Sequence, residues 1–362
     1  MRVFQFIVWL LIIININASI ISAQTFSKQD ETLEGRIIEV RNESQTDPTG
    51  QEYLYQKIDI EIYRGSLAGD TITVINDPAT FAGAPEYQTG DQVMITSSQH
   101  IDGSDVFYIT DYVRRDGLLL LFILFAGLAV AVGGKWGAAS LIGMALSFLV
   151  IFKFILPQIL AGRDAVTIAV IGSSIIIPIT FTLSHGFKTK TWIAGLGTIV
   201  TLVITGLAAA LFANLAHLTG FGSEEAGFIQ FQFGQTIDLK GLFLAGMIIS
   251  SLGILDDITI SQASIVNELK QANPKYKFPH LFTKAMNVGR DHIASLINTL
   301  ILVYAGASLP LLLLFTDNTV PFSEVINTSM IAEEIVRTLI GSIGLILAVP
   351  ITTFLAAWHY RR

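Results

Sequence analysis

The apolar and polar positions divide the chain into three regions of different character. Residues 1–23 contain an early arginine, an apolar run and small residues at the end, which is typical of a secretory signal peptide. Residues 24–115 alternate short apolar and polar runs, whereas residues 116–362 are almost continuously apolar. We predict that the first region is a signal peptide cleaved after about residue 23. An uncleaved anchor helix is the alternative, and either would export the region that follows.

The second region predicts a small antiparallel β-domain. Its apolar runs are rich in isoleucine, valine, threonine and tyrosine, and clusters of turn-forming residues separate them. The predicted strands are 33–40, 53–63, 71–75, 92–96 and 106–112. Five strands in so short a region predict an OB-like barrel outside the cytoplasm. Such a domain either caps the membrane part or binds a protein partner, since fold alone does not determine function.

The third region predicts a bundle of about seven transmembrane helices. If the β-domain is exported, the first helix runs inwards and the alternation assigns every loop to one side. Lysine and arginine then fall mainly inside and the acidic loop residues outside, which is the usual charge asymmetry of membrane proteins. The basic, aromatic loop near residues 270–284 is expected at the anionic inner leaflet. The predicted spans are 117–133, 136–156, 165–184, 192–215, 241–260, 293–315 and 336–357.

Composition supports this class and excludes others. The chain is 52% hydrophobic and 14% charged, whereas soluble domains carry about a quarter charged residues. The absence of cysteine excludes disulfides, thiolate metal sites and cysteine nucleophiles. Net charge is −7, and bases cluster only in the predicted inner loops, so nucleic-acid binding has no support. We therefore expect a multi-pass membrane protein with its carboxyl terminus inside.

The span that begins near Gly241 acquires carboxylates before it ends. Asp257 lies about 24 Å along this helix, in the inner third of a ~30 Å hydrocarbon core. A carboxylate at that depth is costly without water, a partner or a proton, so Asp256 and Asp257 are candidate ion-binding residues. If the span starts later, both simply reach the headgroups. Polar residues recur every three or four positions and form one stripe with Asp257: Ser250, Gly253, Ser261, Ser264 and Glu268.

The following span supplies further candidates. Asn298 and Thr299 lie within an apolar helix and are expected to line a path with the stripe. Arg290 is expected on the same side of the membrane as the two aspartates, where it could form an ion pair or a gate. Its neighbour Asp291 is a second gate candidate, although capping of the helix start would also explain it.

Motifs for catalysis are missing from the sequence. It contains no phosphate-binding loop, no zinc-protease motif and no nucleophile elbow. We therefore expect no catalytic residue, cofactor or metal, and a protein that is not an enzyme. An intramembrane aspartic hydrolase would need a second carboxylate, from Asp291 or Glu268, beside Asp256 or Asp257.

Segments 251–269 (SLGILDDITISQASIVNEL) and 289–315 (GRDHIASLINTLILVYAGASLPLLLLF) resemble the YibE/F-like family of bacterial membrane proteins. The combination of a signal sequence (1–23), an exported β-domain (24–115) and a transmembrane domain (116–362) is similar to the family's longer form. The resemblance implies a protein of the bacterial cytoplasmic membrane. It implies little about activity. The residues themselves favour a permease, or permease subunit, for a small solute or ion. The alternative is a non-transporting assembly or signalling scaffold whose β-domain binds a membrane or extracytoplasmic partner.

Overall fold

The computed structural model describes residues 31–46, 52–76, 85–99, 105–314 and 321–361. The predicted signal peptide or anchor, residues 1–23, lies outside these ranges. The chain divides into two units, and the division falls between Gly127 and Leu128.

The first unit contains a five-stranded antiparallel sheet that curves into a half-barrel. Its hydrogen-bonded order is β3-β2-β1-β4-β5, and the edge strands β3 and β5 also lie close together. All five predicted strands are confirmed. β1 is longer than predicted, because its polar second half still pairs with β2 as far as Thr46. The strands are β1 (Glu31–Thr46), β2 (Glu52–Arg64), β3 (Thr71–Asn76), β4 (Gln92–Gln99) and β5 (Asp105–Tyr112).

Alternation along the strands builds the core of the sheet. Every second side chain points to the same face, and Ile58, Ile60 and Ile62 of β2 are all buried there. The outer surface carries ion pairs, of which one joins Glu34 of β1 to Arg115, 2.7 Å away, where the next helix begins. The hydrogen bond from Arg115 is the main reason that the pKa of Glu34 lies below its ordinary value of 4.5.

Helices make up the rest of the described chain. Two short non-α turns, Ile151–Ile155 (π) and Gly234–Thr236 (3-10), interrupt them. The helices are α1 (Arg115–Val150), α2 (Leu156–Leu160), α3 (Ala165–His185), α4 (Thr189–Leu215), α5 (Glu224–Phe233), α6 (Leu239–Ala272), α7 (Phe278–Ala307), α8 (Leu309–Leu314), α9 (Phe322–Val325) and α10 (Ser329–His359).

Helix α1 breaks at Gly134. This residue has φ 57° and ψ −138°, a conformation that glycine adopts without a steric penalty. A Cβ atom built on Gly137 would lie 2.0 Å from the carbonyl oxygen of Ala129, whereas eight residues of straight helix advance about 12 Å. The chain therefore reverses at Gly134, between the predicted spans 117–133 and 136–156.

Five helical segments are long and apolar enough to cross a membrane. The chain is accordingly a membrane protein, but the expected number of about seven spans is not confirmed. One of the five segments contains the break at Gly134. Helix α7 is not among the five, because Arg290, Asp291 and Asn298 lower its hydropathy. The five segments are Arg115–Leu160, Ala165–His185, Thr189–Leu215, Leu239–Ala272 and Ser329–His359.

Helix α6 lies at the centre of the helical unit. It contacts α3, α4, α7 and α10, and its apolar side chains are buried along most of its length. The polar stripe predicted from the sequence is therefore carried by a helix that is enclosed by four neighbours.

Candidate functional site

Asp256 and Asp257 line one cavity of about 600 Å³. We call it the aspartate cavity. Its other walls come from the turn at the break in α1, the end of α3 and the start of α4, so four elements contribute to it. Besides the aspartates, its polar lining comprises Ser140, Thr180, Ser184, His185, Lys188 and Lys190.

Asp256 lies at the α3 wall of this cavity. The hydroxyl of Thr180 donates to its Oδ2 atom over 3.1 Å, while its Oδ1 atom is buried without a partner. One turn later, the hydroxyl of Thr259 lies 2.8 Å from that of Thr198 on α4. This side of α6 therefore holds α3 and α4 through hydroxyl groups, and one carboxylate oxygen of Asp256 stays buried without a hydrogen-bond partner.

Asp257 faces the open part of the cavity. It is exposed, and within the described ranges it has neither a hydrogen bond nor an ion pair. Across from it lie His185, Lys188 and Lys190. Neighbouring helix residues are about 100° apart, yet both aspartates reach one cavity because the cavity is wide. The lining combines two carboxylates with two ammonium groups and an imidazole, so it can attract either sign of charge.

A second cavity, of about 360 Å³, meets the other half of α6. We call it the glutamate cavity. It reaches Ser250, which precedes Asp256 by six residues, or about 9 Å of helix. Its polar lining consists of Ser223, Glu225, Ser250, Tyr304, Glu333, Glu334 and Arg337. Helix α6 thus carries polar residues of two cavities with only a short apolar stretch, including buried Leu252 and Leu255, between them.

Glu333 of α10 is buried beside the glutamate cavity, with only 5% of its surface exposed. The backbone N–H of Gly220 donates to its Oε1 atom over 2.9 Å. Gly222 approaches the other oxygen so closely that a Cβ atom there would lie 2.5 Å from Oε2. Gly220 has φ 83°, and its own Cβ atom would lie 2.3 Å from the carbonyl oxygen of Leu239. Glycine is therefore required at Gly220, and Glu333 holds the segment 218–223 in place.

The remaining stripe residues lie away from the aspartate cavity. Ser261 and Ser264 are partly buried further along α6, and neither lines the aspartate cavity. Glu268 is exposed beyond them, where Asn267 donates to it over 3.5 Å. Asn298 and Thr299 are exposed on α7, and the Thr299 hydroxyl donates to the carbonyl of Ser295. The structure therefore brings together only the two aspartates of the expected set.

The expected contacts of Arg290 and Asp291 are not formed. Both side chains are exposed on α7, and among the described ion pairs none joins Arg290 to Asp256 or Asp257. The capping role considered for Asp291 is wrong, because α7 already begins at Phe278. The helix starts early because Leu281 and Ala285 pack into the core of the bundle.

Sequence reasoning missed most partners of the aspartates. Thr180 was visible as a hydroxyl residue after Pro178, and Lys188 and Lys190 as bases of an inner loop, but no local pattern connects them with α6. Glu333 lies in a predicted outer loop, just before the span 336–357, and no local pattern marks it as a site residue. The sequence feature that could have indicated its role is a pair of glycines, Gly220 and Gly222, in one predicted outer loop, with Glu333 in the other. In the described part of the chain, no group of three or more histidine or acidic side chains is placed to hold a metal ion.

The family model described as YibE/F-like protein matches residues 121–362. The chain belongs to the YibE/F-like family. No curated protein matches the chain, and no solved structure matches it. In this YibE/F-like protein the matched range contains every residue that lines the aspartate and glutamate cavities. Both cavities are therefore features of the family's own region rather than of the β-domain.

Proposed function

We propose that this YibE/F-like protein is a permease, or a permease subunit, for a small solute or ion. The supporting observation is the pair of cavities on α6, with Ser250 at the inner end of one and Asp256 and Asp257 in the other. About 9 Å of helix separates them. Transporters place their binding sites where two access routes approach each other near the middle of the membrane.

The surroundings of Asp257 support transport over a scaffold role. If the stripe served only to pack helices, Asp257 would be buried and paired with a group on a neighbouring helix, because an unpaired charge between helices is costly. Asp257 instead lies exposed in a polar cavity. In this proposal Asp257 binds a cation or a proton first, and Asp256 passes it on through its free Oδ1 atom. Lys188, Lys190 and His185 make the electrostatic potential of the cavity less negative, so that solutes of either charge can enter it.

The arrangement in the membrane follows from the same proposal. Counting α1 as two crossings at Gly134 and including α7 gives about seven spans. Lys188 and Lys190 line the aspartate cavity, so this cavity opens to the cytoplasm if bases lie inside. The glutamate cavity and an OB-like β-domain then lie on the outer side of a bacterial cytoplasmic membrane, and the carboxyl terminus lies inside.

Ion flux in proteoliposomes of the purified full chain tests this function. An internal pH-sensitive dye reports proton movement under an imposed gradient, in the presence and absence of Na⁺ or K⁺. We expect flux from the wild type and a loss of at least about tenfold in Asp257→Asn. Asp256→Asn should also lose flux.

Glu268→Gln is the matched control, because it removes an exposed carboxylate from the same helix outside the aspartate cavity. It should transport like the wild type. Wild-type rates in both aspartate variants would refute the proposed site. Traces at the level of empty liposomes for every variant would favour the scaffold alternative, and pull-downs with the full chain would then follow.

A further inference from the structure

An aromatic cluster covers one end of the helical unit, where α7 begins and α10 ends. The ring of Phe278 packs edge-on against Phe354 and Trp358, with centroids 5.5 Å and 6.4 Å away. Phe354 and Trp358 stack on each other at 6.1 Å. Although they pack together, Phe354 is 48% exposed and Trp358 is 52% exposed. We call these three rings the aromatic shelf, and its open side faces outwards from the bundle.

Two basic side chains adjoin the aromatic shelf, and neither forms an ion pair in the part of the chain that the structure describes. The guanidinium of Arg361 lies 3.4 Å above the ring of Trp358. Lys277 directly precedes Phe278, and its side chain is exposed. Among the ion pairs of the described ranges, none includes Arg361, Lys275 or Lys277. An apolar surface bordered by unpaired positive charges is complementary to a molecule with an anionic head and an apolar body.

We propose that the aromatic shelf, with Lys277 and Arg361, binds one anionic phospholipid. Arg361 is held flat on Trp358, which leaves its N–H edge free for the phosphate oxygens. Lys277, the residue before α7, approaches the same headgroup, and the acyl chains lie on Phe354 and Trp358. Because the lipid contacts both helices, it clamps the start of α7 to the end of α10.

The charges of the surface select the class of lipid. A zwitterionic headgroup would bring its own ammonium group next to two unpaired cations and would gain little. Free phosphate would contact the cations but leave the exposed rings uncovered. The site is therefore one for lipid, and it extends beyond the permease proposal because it shares no residue with either cavity.

Lipid titration of the purified full chain in a neutral detergent tests the site. Phosphatidylglycerol is compared with phosphatidylcholine and with inorganic phosphate, and both the thermal unfolding midpoint and the number of bound lipids by native mass spectrometry are measured. We expect phosphatidylglycerol to bind more tightly, and to raise the unfolding midpoint more, than phosphatidylcholine or inorganic phosphate. Arg361→Gln should weaken its binding about fivefold.

Lys135→Gln is the matched control, since Lys135 also lies over a tryptophan, 5.5 Å from the ring of Trp136. It should keep the wild-type affinity for phosphatidylglycerol, whereas Lys277→Gln should lower this affinity even though Arg361 is intact. If Lys135→Gln lost as much affinity for phosphatidylglycerol as Arg361→Gln, the binding would be an unspecific attraction to charge and the proposal would be overturned. Equal effects of the two lipids, or stabilisation by inorganic phosphate alone, would overturn it as well.

Discussion

At the scale of single residues, one close contact of the bundle lies where three helices meet at a glycine. Gln262 of α6 is fully buried, and its amide donates to the carbonyl of Ala285 on α7 over 2.8 Å. Gly289 lies one turn further along α7, beside this amide and Val349 of α10. The missing side chain allows the three backbones to approach each other.

Gly289→Ala is therefore expected to destabilise the protein. The added methyl group would lie 2.5 Å from Cγ1 of Val349 and 3.0 Å from the amide nitrogen of Gln262. Overpacking of this kind costs about 1–3 kcal/mol. Thermal or denaturant unfolding of the purified protein in detergent measures the loss.

Gly253→Ala on α6 is the control for Gly289→Ala, because nothing lies within 4 Å of its Cβ position. It should leave stability unchanged or raise it by up to about 1 kcal/mol through helix propensity. Equal unfolding midpoints for the two variants would contradict the packing argument.

At the scale of elements, the segment 218–223 is held between two helices. Glu333 of α10 accepts a hydrogen bond from Gly220, and Gly220 lies against the carbonyl of Leu239 at the start of α6. The segment also forms part of the wall of the glutamate cavity. Leu218 anchors the start of the segment in the core, and the buried carboxylate of Glu333 holds its glycine-containing part.

Removing the carboxylate should open the glutamate cavity. The chain has no cysteine, so Ser250→Cys provides a single reporter inside that cavity. Adding Glu333→Ala leaves the buried N–H of Gly220 unpaired, at a cost of about 1–3 kcal/mol. Labelling of Cys at this position by a membrane-impermeant maleimide should become at least about tenfold faster.

Glu224→Ala serves as the control for Glu333→Ala, because Glu224 is an exposed acid of α5 that does not line the glutamate cavity. It should leave the labelling rate unchanged. An unchanged rate in Glu333→Ala would show that other contacts hold the segment.

At the scale of the whole molecule, the two cavities mark the two ends of the bundle. The aspartate cavity is lined by the turn in α1, the end of α3 and the start of α4. The glutamate cavity gathers the start of α6, the end of α7 and the start of α10. Helices that run between these ends cross the bundle, and α7 does so even though its polar residues lower its hydropathy.

Single cysteines should reveal this arrangement in membranes. We expect Lys135→Cys, Lys188→Cys and Lys277→Cys to be labelled from one side of the membrane only. Asp116→Cys, Ser308→Cys and Ser329→Cys should be labelled only from the other side, as the proposed arrangement with two crossings of α1 and one crossing of α7 requires. Labelling of Asp116→Cys and Lys135→Cys from the same side would refute the double crossing of α1.

The sequence by itself determined the local structure of this protein. Alternation in residues 53–63 and 92–96 predicted strands, because a strand turns every second side chain to one face. Long apolar runs predicted membrane helices, because a bilayer leaves no water for unpaired backbone groups. The carboxylates of Asp256 and Asp257 stood out for the same reason, since their cost depends on depth in the membrane.

Only the tertiary structure decided which residues meet. Thr180 and Asp256 are 76 positions apart, and Gly220 and Glu333 are 113 apart, so no local period connects them. Periodicity shows which face of a helix is buried but not which neighbour covers it. The start of α7 shows the same limit: packing of Leu281 and Ala285 in the core extends the helix far upstream of Asp291, where a cap was considered.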